Sequence, residues 1–312
     1  MTDRGRAGAG GVLLLLLAAL IWGIAFVAQS IGAEHVGPFT FLALRSWLGV
    51  FVLLPVVAVR AGKRQKQQVT RQDGSSKGER LRPLFVGGLC TGFFLFAASA
   101  AQQIGIASTT AGKSGFITAM YVILVPIVSV LLRRSPPRRI WVCVALSVLG
   151  LYLLCMAEGG RMGTGDLWTL LCALLFTFQI LCISHYVKIT DSVELTCVEF
   201  VFEALFATAV MLVLERGTAR EAILAAMPAI LYAGIFSSGV GYTLQTVGER
   251  RVSPPVASLA MCMESVFSAL FGWLILGETL TMREFAGCAL MFGSILLAEM
   301  PVESLFGKRR QL

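Results

Sequence analysis

Long apolar runs alternate with short polar segments along the whole chain. Ten runs are mainly apolar and close to the length of about 20 residues that a helix needs to cross a hydrocarbon layer of roughly 30 Å. Because backbone amides find no water in lipid, each crossing segment must be helical. The pattern predicts an all-α membrane protein with ten transmembrane helices. The runs cover residues 12–32, 39–59, 84–105, 114–132, 140–157, 167–187, 196–214, 225–246, 255–276 and 285–300.

The composition excludes a soluble protein. Apolar residues make up 56% of the 312 positions and charged residues only 14%, against roughly 25% charged in an ordinary globular chain. The eight cysteines all lie in apolar runs and there are two histidines. We interpret these cysteines as small buried residues rather than a disulfide or metal framework. We therefore expect neither a metal site nor a cofactor.

Basic residues predict the orientation. With the first span leading out of the cytoplasm, twenty of the 26 Lys and Arg residues fall on the cytoplasmic side and five on the other, and Arg45 lies within a span. The positive-inside rule then predicts a multi-pass protein of the cytoplasmic (inner) membrane with both termini in the cytoplasm. This placement accounts for the net charge of +8 without a nucleic-acid partner.

The two halves of the chain resemble each other. Gln102 and Gln245 each begin a Q-x-x-G sequence, at an offset of 143 residues. We expect a first unit over 12–157 and a second over 166–300, with a cytoplasmic amino terminus (1–11), a basic, flexible loop (60–83) and a basic tail (301–312). Because five spans are an odd number, the second unit must enter the membrane from the opposite side. The fold expected is therefore two inverted five-helix repeats, as in secondary transporters.

Two stretches carry a family resemblance. Residues Gly239–Thr281, which include Tyr242-Thr243-Leu244-Gln245 and the L-G-E sequence at 276–278, resemble the closing repeat of EamA-type permeases in the drug/metabolite transporter superfamily. Residues Gln102–Pro126 resemble the matching part of the first repeat. The resemblance implies a ten-helix carrier with cytoplasmic termini that moves small polar metabolites, often by export of amino acids or toxic compounds. The L-G-E sequence occurs only in the second half, so a role of Glu278 would not be duplicated.

Charged residues within the spans are the first candidates for a site, because charge is costly in a bilayer. Glu264 lies near the middle of the ninth predicted span and could bind a substrate amine or a proton; the alternative is a carboxyl hydrogen-bonded between packed helices. Glu199 and Glu203 share a helix face near the cytoplasmic end, where we expect them to reach water. Together with Arg45 they could serve gating or structural roles, and a direct bridge between Arg45 and Glu199 is not expected, since repeat-related positions lie at opposite depths.

Lys113 precedes a serine and could suggest a phosphate-binding loop. That loop requires a glycine where Ala107 stands. We expect Lys113 at the external interface, or as an entry contact for anionic groups.

Uncharged polar and aromatic residues in the spans form a second group of candidates. Directional hydrogen bonds from such groups can recognise a substrate, whereas the alternative is that each joins two helices at roughly 1 kcal/mol. Pro126 and the Pro254-Pro255 pair could act as hinges. The candidates are Trp22, Gln102, Gln103, Thr118, Tyr121, Tyr242, Gln245 and Ser258.

These features favour a secondary active transporter that exports a small polar or amphipathic metabolite by alternating access. Its partners would be the solute, the lipid bilayer and a coupling proton, and the protein would be a monomer or homodimer without enzymatic activity. The alternatives are a channel-like or non-transporting membrane protein. A channel needs a polar stripe or a charged ring, and an intramembrane enzyme would have only His185 near a span end as a candidate base.

Overall fold

The described chain is built from helices. The computed structural model describes residues 3–71, 77–109, 111–133, 136–155, 163–276 and 281–299, and these ranges contain thirteen α-helices, one π-helical segment and no strand. The prediction of an all-α protein is therefore confirmed.

The helices follow the predicted spans closely. In chain order they are α1 (Asp3–Ala33), α2 (Pro38–Arg71), α3 (Lys77–Ile106), α4 (Ala111–Thr118), α5 (Tyr121–Leu131), α6 (Arg138–Cys155), α7 (Thr164–Tyr186), α8 (Ser192–Leu214), α9 (Arg220–Tyr232), the π-helical segment Ala233–Gly241, α10 (Tyr242–Glu249), α11 (Pro254–Met261), α12 (Met263–Leu276) and α13 (Met282–Glu299).

These elements form ten rods in the described chain, because α4 continues into α5, α9 continues through the π-helical segment into α10, and α11 continues into α12. Eight of the rods are long and apolar enough to cross a membrane. A further apolar stretch, Phe285–Ala298, lies within α13 and is shorter. The protein is an integral membrane protein with several spanning helices.

The basic segment 60–83 differs from the flexible loop expected. Helix α2 continues to Arg71 and α3 begins at Lys77, whereas residues 72–76 lie outside the described ranges. Glutamine, lysine and arginine are good helix formers, so the spanning helices continue into this polar sequence. The tail 301–312 also lies outside the described ranges.

The rods α4–α5 and α11–α12 are interrupted near their centres rather than at their proline positions. Helix α4 ends at Thr118 and α5 begins at Tyr121, and α11 gives way to α12 at Cys262. Pro126 lies inside α5, and Pro254 begins α11, where a proline costs no hydrogen bond. The expected hinges at these prolines therefore do not coincide with the breaks.

The rods pack in a corresponding way in the two halves. Helix α1 contacts the rod α9–α10 and the broken rod α11–α12, and α7 contacts α3 and the broken rod α4–α5. Helix α2 packs on α8, and α6 packs on α13, where the hydroxyls of Ser147 and Ser294 lie 2.6 Å apart. The two broken rods therefore each lie against the first helix of the opposite half.

Candidate functional site

A cavity lies among the central rods, with about 450 Å³ of empty space when its opening to solvent is included. Its wall comes from α1, α2, α3, α5, α7, the π-helical segment, α10, α11 and α12, so both halves contribute. Glutamines, aromatic rings and two ionisable groups share the wall with apolar side chains. The lining residues are Trp22, Ala25, Phe26, Gln29, Arg45, Gln102, Tyr121, Phe176, Gln179, Ile180, Ser237, Tyr242, Gln245, Met261 and Glu264.

The two helix breaks meet at one hydrogen bond in this wall. The hydroxyl of Tyr121, the first residue of α5, donates to Glu264 Oε1 at 2.9 Å. Glu264 stands in the first turn of α12, where the helix dipole favours a carboxylate. Tyr121 is 3% exposed and Glu264 is 5% exposed. The Glu264 carboxyl therefore lies on the cavity wall and is largely shielded from bulk solvent.

The other charged group on the wall is already paired. Arg45 Nη2 lies 3.6 Å from Glu203 Oε1, and Ser46 Oγ donates to the other carboxylate oxygen at 2.9 Å. Arg45 Nε has no hydrogen-bond partner. The guanidinium therefore keeps one unused donor, and Glu203 offsets its charge.

The expectation that Glu199 and Glu203 reach water is wrong. Both are fully buried, because α8 is covered by α2, α3 and α10. The residue that Arg45 pairs with is Glu203, one turn after Glu199, in agreement with the prediction that Arg45 and Glu199 form no direct bridge.

Two glutamines on the wall connect the cavity to a second pair of carboxyls. Gln179 Nε2 donates to Glu199 Oε1 at 2.9 Å, and Gln245 Nε2 donates to Glu249 Oε1 at 2.8 Å. The two amides also meet, since Gln245 Nε2 lies 3.3 Å from Gln179 Oε1. Four side chains from α7, α8 and α10 thus form one polar network.

Aromatic rings form the apolar part of the wall. The rings of Trp22 and Tyr242 lie 4.9 Å apart between centroids, and Tyr242 meets Phe200 edge-on at 5.2 Å. Trp22 Nε1 is buried without a partner. This nitrogen lies beside Gly241 of the π-helical segment, where a Cβ would come within 2.9 Å of it.

Most of the residues predicted from sequence come together here. Seven line the cavity, and two of the predicted residues, Glu199 and Glu203, stand directly behind the wall. The side chain of Lys113 lies outside the described side chains. The seven are Trp22, Arg45, Gln102, Tyr121, Tyr242, Gln245 and Glu264.

Besides Glu199 and Glu203, three predicted residues do not line the cavity. Thr118 Oγ1 lies 3.3 Å from Gln102 Nε2 and Gln103 Nε2 donates to the Gln29 carbonyl, so both support the wall from behind. Ser258 Oγ donates to the Pro255 carbonyl of its own helix. For Ser258, a local backbone contact replaces the expected recognition of solute.

Sequence reasoning missed several polar residues of the site. Gln29 and Gln179 are amides within apolar spans, so the criterion that selected Gln102 and Gln245 would also have selected them. Glu249 lies just past residue 246, the predicted end of its span, and a carboxyl at such a position is normally assigned to a loop. The apolar lining residues, such as Phe26, carry no signal that separates them from core residues.

The site offers a solute both kinds of polar contact. Trp22 Nε1 and Arg45 Nε are unpartnered donors, and Gln29 Oε1 and Gln245 Oε1 are unpartnered acceptors. Groups of three or more metal-ligating side chains are not found among the described residues. The arrangement can hold a small molecule by hydrogen bonds, charge and ring contacts.

Comparisons with known proteins agree with a transport protein. An uncharacterized transporter of Archaeoglobus fulgidus is 28% identical over 308 residues, which span 95% of this chain and 90% of that one. The uncharacterized transporter YoaV of Bacillus subtilis is 21% identical over 293 residues, with 92% and 95% covered. A solved crystal structure with 17% sequence identity has the same fold, with a TM-score of 0.72 over 93% of this chain and 96% of that chain.

The family comparison covers both halves separately. The model of the EamA-like transporter family matches residues 9–156 and again residues 163–300. Together the two matches take in nearly every described helix. The chain therefore belongs to the EamA-like transporter family.

Proposed function

We propose that this protein is a secondary active transporter that exports a small polar or amphipathic metabolite, of amino-acid type, by alternating access. The observation that carries the proposal is the cavity between the halves, with Glu264 and Arg45 on its wall. Buried ionisable groups within membrane spans mark substrate or ion pathways by default. The solute would bind here and be exposed to each side of the membrane in turn.

The chemistry of the cavity favours a single small solute. The wall combines glutamines, aromatic rings and two charged groups around one space, as is usual for small-molecule sites. The carboxyl of Glu264 suits an amine, and the free donors on Arg45 and Trp22 suit a carboxylate or carbonyl oxygen. A molecule with both groups, such as an amino acid, matches the wall best.

Two findings support the mechanism of inverted repeats rocking about the cavity. The same family model matches each half, and the helix contacts of α1 in one half correspond to those of α7 in the other. The broken rods place Tyr121 and Glu264 at their interruptions, so a change in either rod's angle would move a cavity contact. In inverted-repeat carriers, the site lies at such a repeat interface near the midplane.

Transport by the purified protein tests the proposal. A thermal-shift screen of amino acids and related amines on protein in detergent would identify stabilising solutes, because a ligand that binds the folded state raises the midpoint of unfolding. Counterflow in proteoliposomes, with unlabelled hit inside and labelled hit outside, should then show saturable exchange. Ion conductance far above carrier rates, without saturable exchange, would support the channel-like alternative instead.

The Glu264→Gln variant is the residue-specific test. Glutamine keeps the shape and can still accept the hydrogen bond from Tyr121, but it cannot carry a charge or a titratable proton. We expect loss of counterflow with an unchanged thermal unfolding midpoint and monodisperse elution. Glu221→Gln, on the exposed first turn of α9, is the matched control and should transport like the unaltered protein. Normal exchange kinetics in Glu264→Gln would remove Glu264 from the site.

A further inference from the structure

A second pair of carboxyls lies beside the cavity without contacting it. Glu199 and Glu249 are 0% and 1% exposed and do not belong to the cavity wall. Each receives one hydrogen bond from a glutamine that does belong to the wall, Gln179 and Gln245 respectively. A polar route therefore leads from the cavity to both carboxyls.

This network has more acceptors than donors. Glu199 Oε2, Glu249 Oε2 and Gln245 Oε1 are buried and have no hydrogen-bond partner. Gln245 Oε1 belongs to an uncharged amide, so the lack of hydrogen-bond donors affects an amide oxygen as well as the two carboxylates. Buried polar atoms are nearly always satisfied, and an uncompensated charge is costly in a membrane. A proton bound to one of the two carboxylates removes one of the charges and turns one unpartnered oxygen into a donor.

Among the described residues, no salt bridge of Glu199 or Glu249 is found. Arg45, on α2, pairs with Glu203. The other titratable groups in electrostatic range of Glu199 are Cys182 of α7, Glu203 of its own helix, and Tyr242 and Glu249 of α10. None of these is a cation.

The pair also lies toward one end of the bundle. Glu249 is the last residue of α10, and the next residue, Arg250, is exposed. Gln245 stands one turn deeper, at the cavity. The network therefore bridges the short distance between the cavity and the bundle end that carries Arg250 and Arg251.

We propose that Glu199 and Glu249, linked through the amides of Gln179 and Gln245, form the proton-binding site that couples transport to a proton gradient, while Glu264 contacts the solute. This inference rests on the proposed function as a secondary transporter. One proton enters from water onto a carboxylate oxygen and later returns to water on the other side. Nothing else is consumed or released in the step.

Proton binding can be measured without knowing the solute. Infrared difference spectra of the purified full-length protein, recorded as the pH is raised through neutrality, should show loss of a protonated-carboxyl band that shifts in D₂O. We expect Glu199→Gln and Glu249→Gln each to remove part of this band and Glu221→Gln to leave it intact. Spectra of both cluster variants identical to the unaltered protein would overturn the proposal.

Glutamine at either position can still accept the existing amide hydrogen bond, so both variants should fold. Thermal unfolding and size-exclusion elution check this. If one of them fails, the aspartate variant at that position replaces it: the shortened carboxyl should keep a band at a shifted frequency, and an unshifted band would count against the proposal.

Coupled transport separates this proposal from the proposed function. With an equimolar mixture of labelled amino acids as probe, the unaltered protein should accumulate label under a proton gradient and also exchange it in counterflow. Glu199→Gln and Glu249→Gln should lose gradient-driven accumulation and retain exchange, whereas Glu264→Gln should lose both. Proton-driven accumulation that survives in both cluster variants, or accumulation that follows a sodium gradient instead, would overturn the proton site. An unaltered protein without exchange would contradict the proposed function, and the infrared result would still stand by itself.

Discussion

At the scale of single residues, burial changes what an ionisable group can do. Arg45 and Glu203 neutralise each other, and the hydroxyl of Ser46 donates a hydrogen bond to the same carboxylate. Glu264 has a neutral hydrogen-bond partner in Tyr121. The two carboxyls therefore differ in character: Glu203, behind the wall, completes a structural ion pair, and Glu264, on the wall, has no charged partner.

The ion pair provides a stability prediction. Arg45→Met leaves Glu203 as an unpaired charge in the bundle, and breaking a buried pair typically costs about 3–5 kcal/mol. The double variant Arg45→Met/Glu203→Leu removes both charges, and Ser46 keeps its bond to the Leu42 carbonyl. We expect the double variant to regain at least half of the lost free energy of unfolding, measured in mixed micelles with increasing SDS. Strictly additive losses would show that the two side chains do not interact.

At the scale of elements, the helix interruptions and the close approach of rods shape the site. Tyr121 follows the break between α4 and α5, and Glu264 follows the break at Cys262. Helix α1 reaches this region because Gly23 has no side chain: a Cβ at that position would lie 2.4 Å from Phe267 Cβ of α12. The cavity thus depends on backbone contact between α1 and a broken rod.

A methyl group at this contact should be costly. Gly23→Ala must push α1 away from α12, and overpacking of this kind costs roughly 1–3 kcal/mol. We expect a lower thermal unfolding midpoint and slower exchange.

Gly293→Ala on α13 is the matched control, since a Cβ there meets no atom within 4 Å. In that open position alanine favours the helix by about 0.5–1 kcal/mol, so the unfolding midpoint should stay equal or rise. Equal midpoints for Gly23→Ala and the unaltered protein would show that α1 and α12 are not held at this contact.

At the scale of the whole molecule, the rods surround a polar cavity whose wall draws on both halves of the chain. The first half contributes wall residues from α1, α2, α3 and α5, and the second half contributes them from α7, the π-helical segment, α10, α11 and α12. Because α8 spans the bundle, the turns at its two ends lie on opposite faces. The turn that follows α7 adjoins α2 at Arg60, whose Nη1 lies 3.9 Å from Asp191 Oδ1. The bundle has two distinct membrane faces, and the basic residues predict which one is cytoplasmic.

Cysteine labelling tests that orientation. Lys188→Cys lies in the turn before α8 and Arg216→Cys in the turn after it, and both positions are exposed. In a background without exposed native cysteines, a membrane-impermeant maleimide applied to whole cells should label position 216 only. Labelling at position 188 alone would reverse the predicted orientation, and labelling at both would contradict a spanning α8.

Much of the architecture could be predicted from sequence because a bilayer allows few solutions. Apolar run length predicted the helices to within a few residues at most ends, and the intramembrane polar residues selected seven of the groups that line the cavity. The errors share one cause. Glu199 and Glu203 were placed by their distance from a span end, and Glu249 was passed over for the same reason, whereas their exposure depends on the neighbouring helices.

The sequence by itself determined that the chain is helical, lies in a membrane and repeats a family pattern, because run length, charge bias and the Q-x-x-G spacing are local properties. Only the tertiary structure decided which polar groups meet. Arg45 pairs with Glu203, Tyr121 with Glu264, and Gln179 with both Glu199 and Gln245. These pairs join residues from separate rods, and their distances follow from how the rods cross and where they break, which no local pattern records.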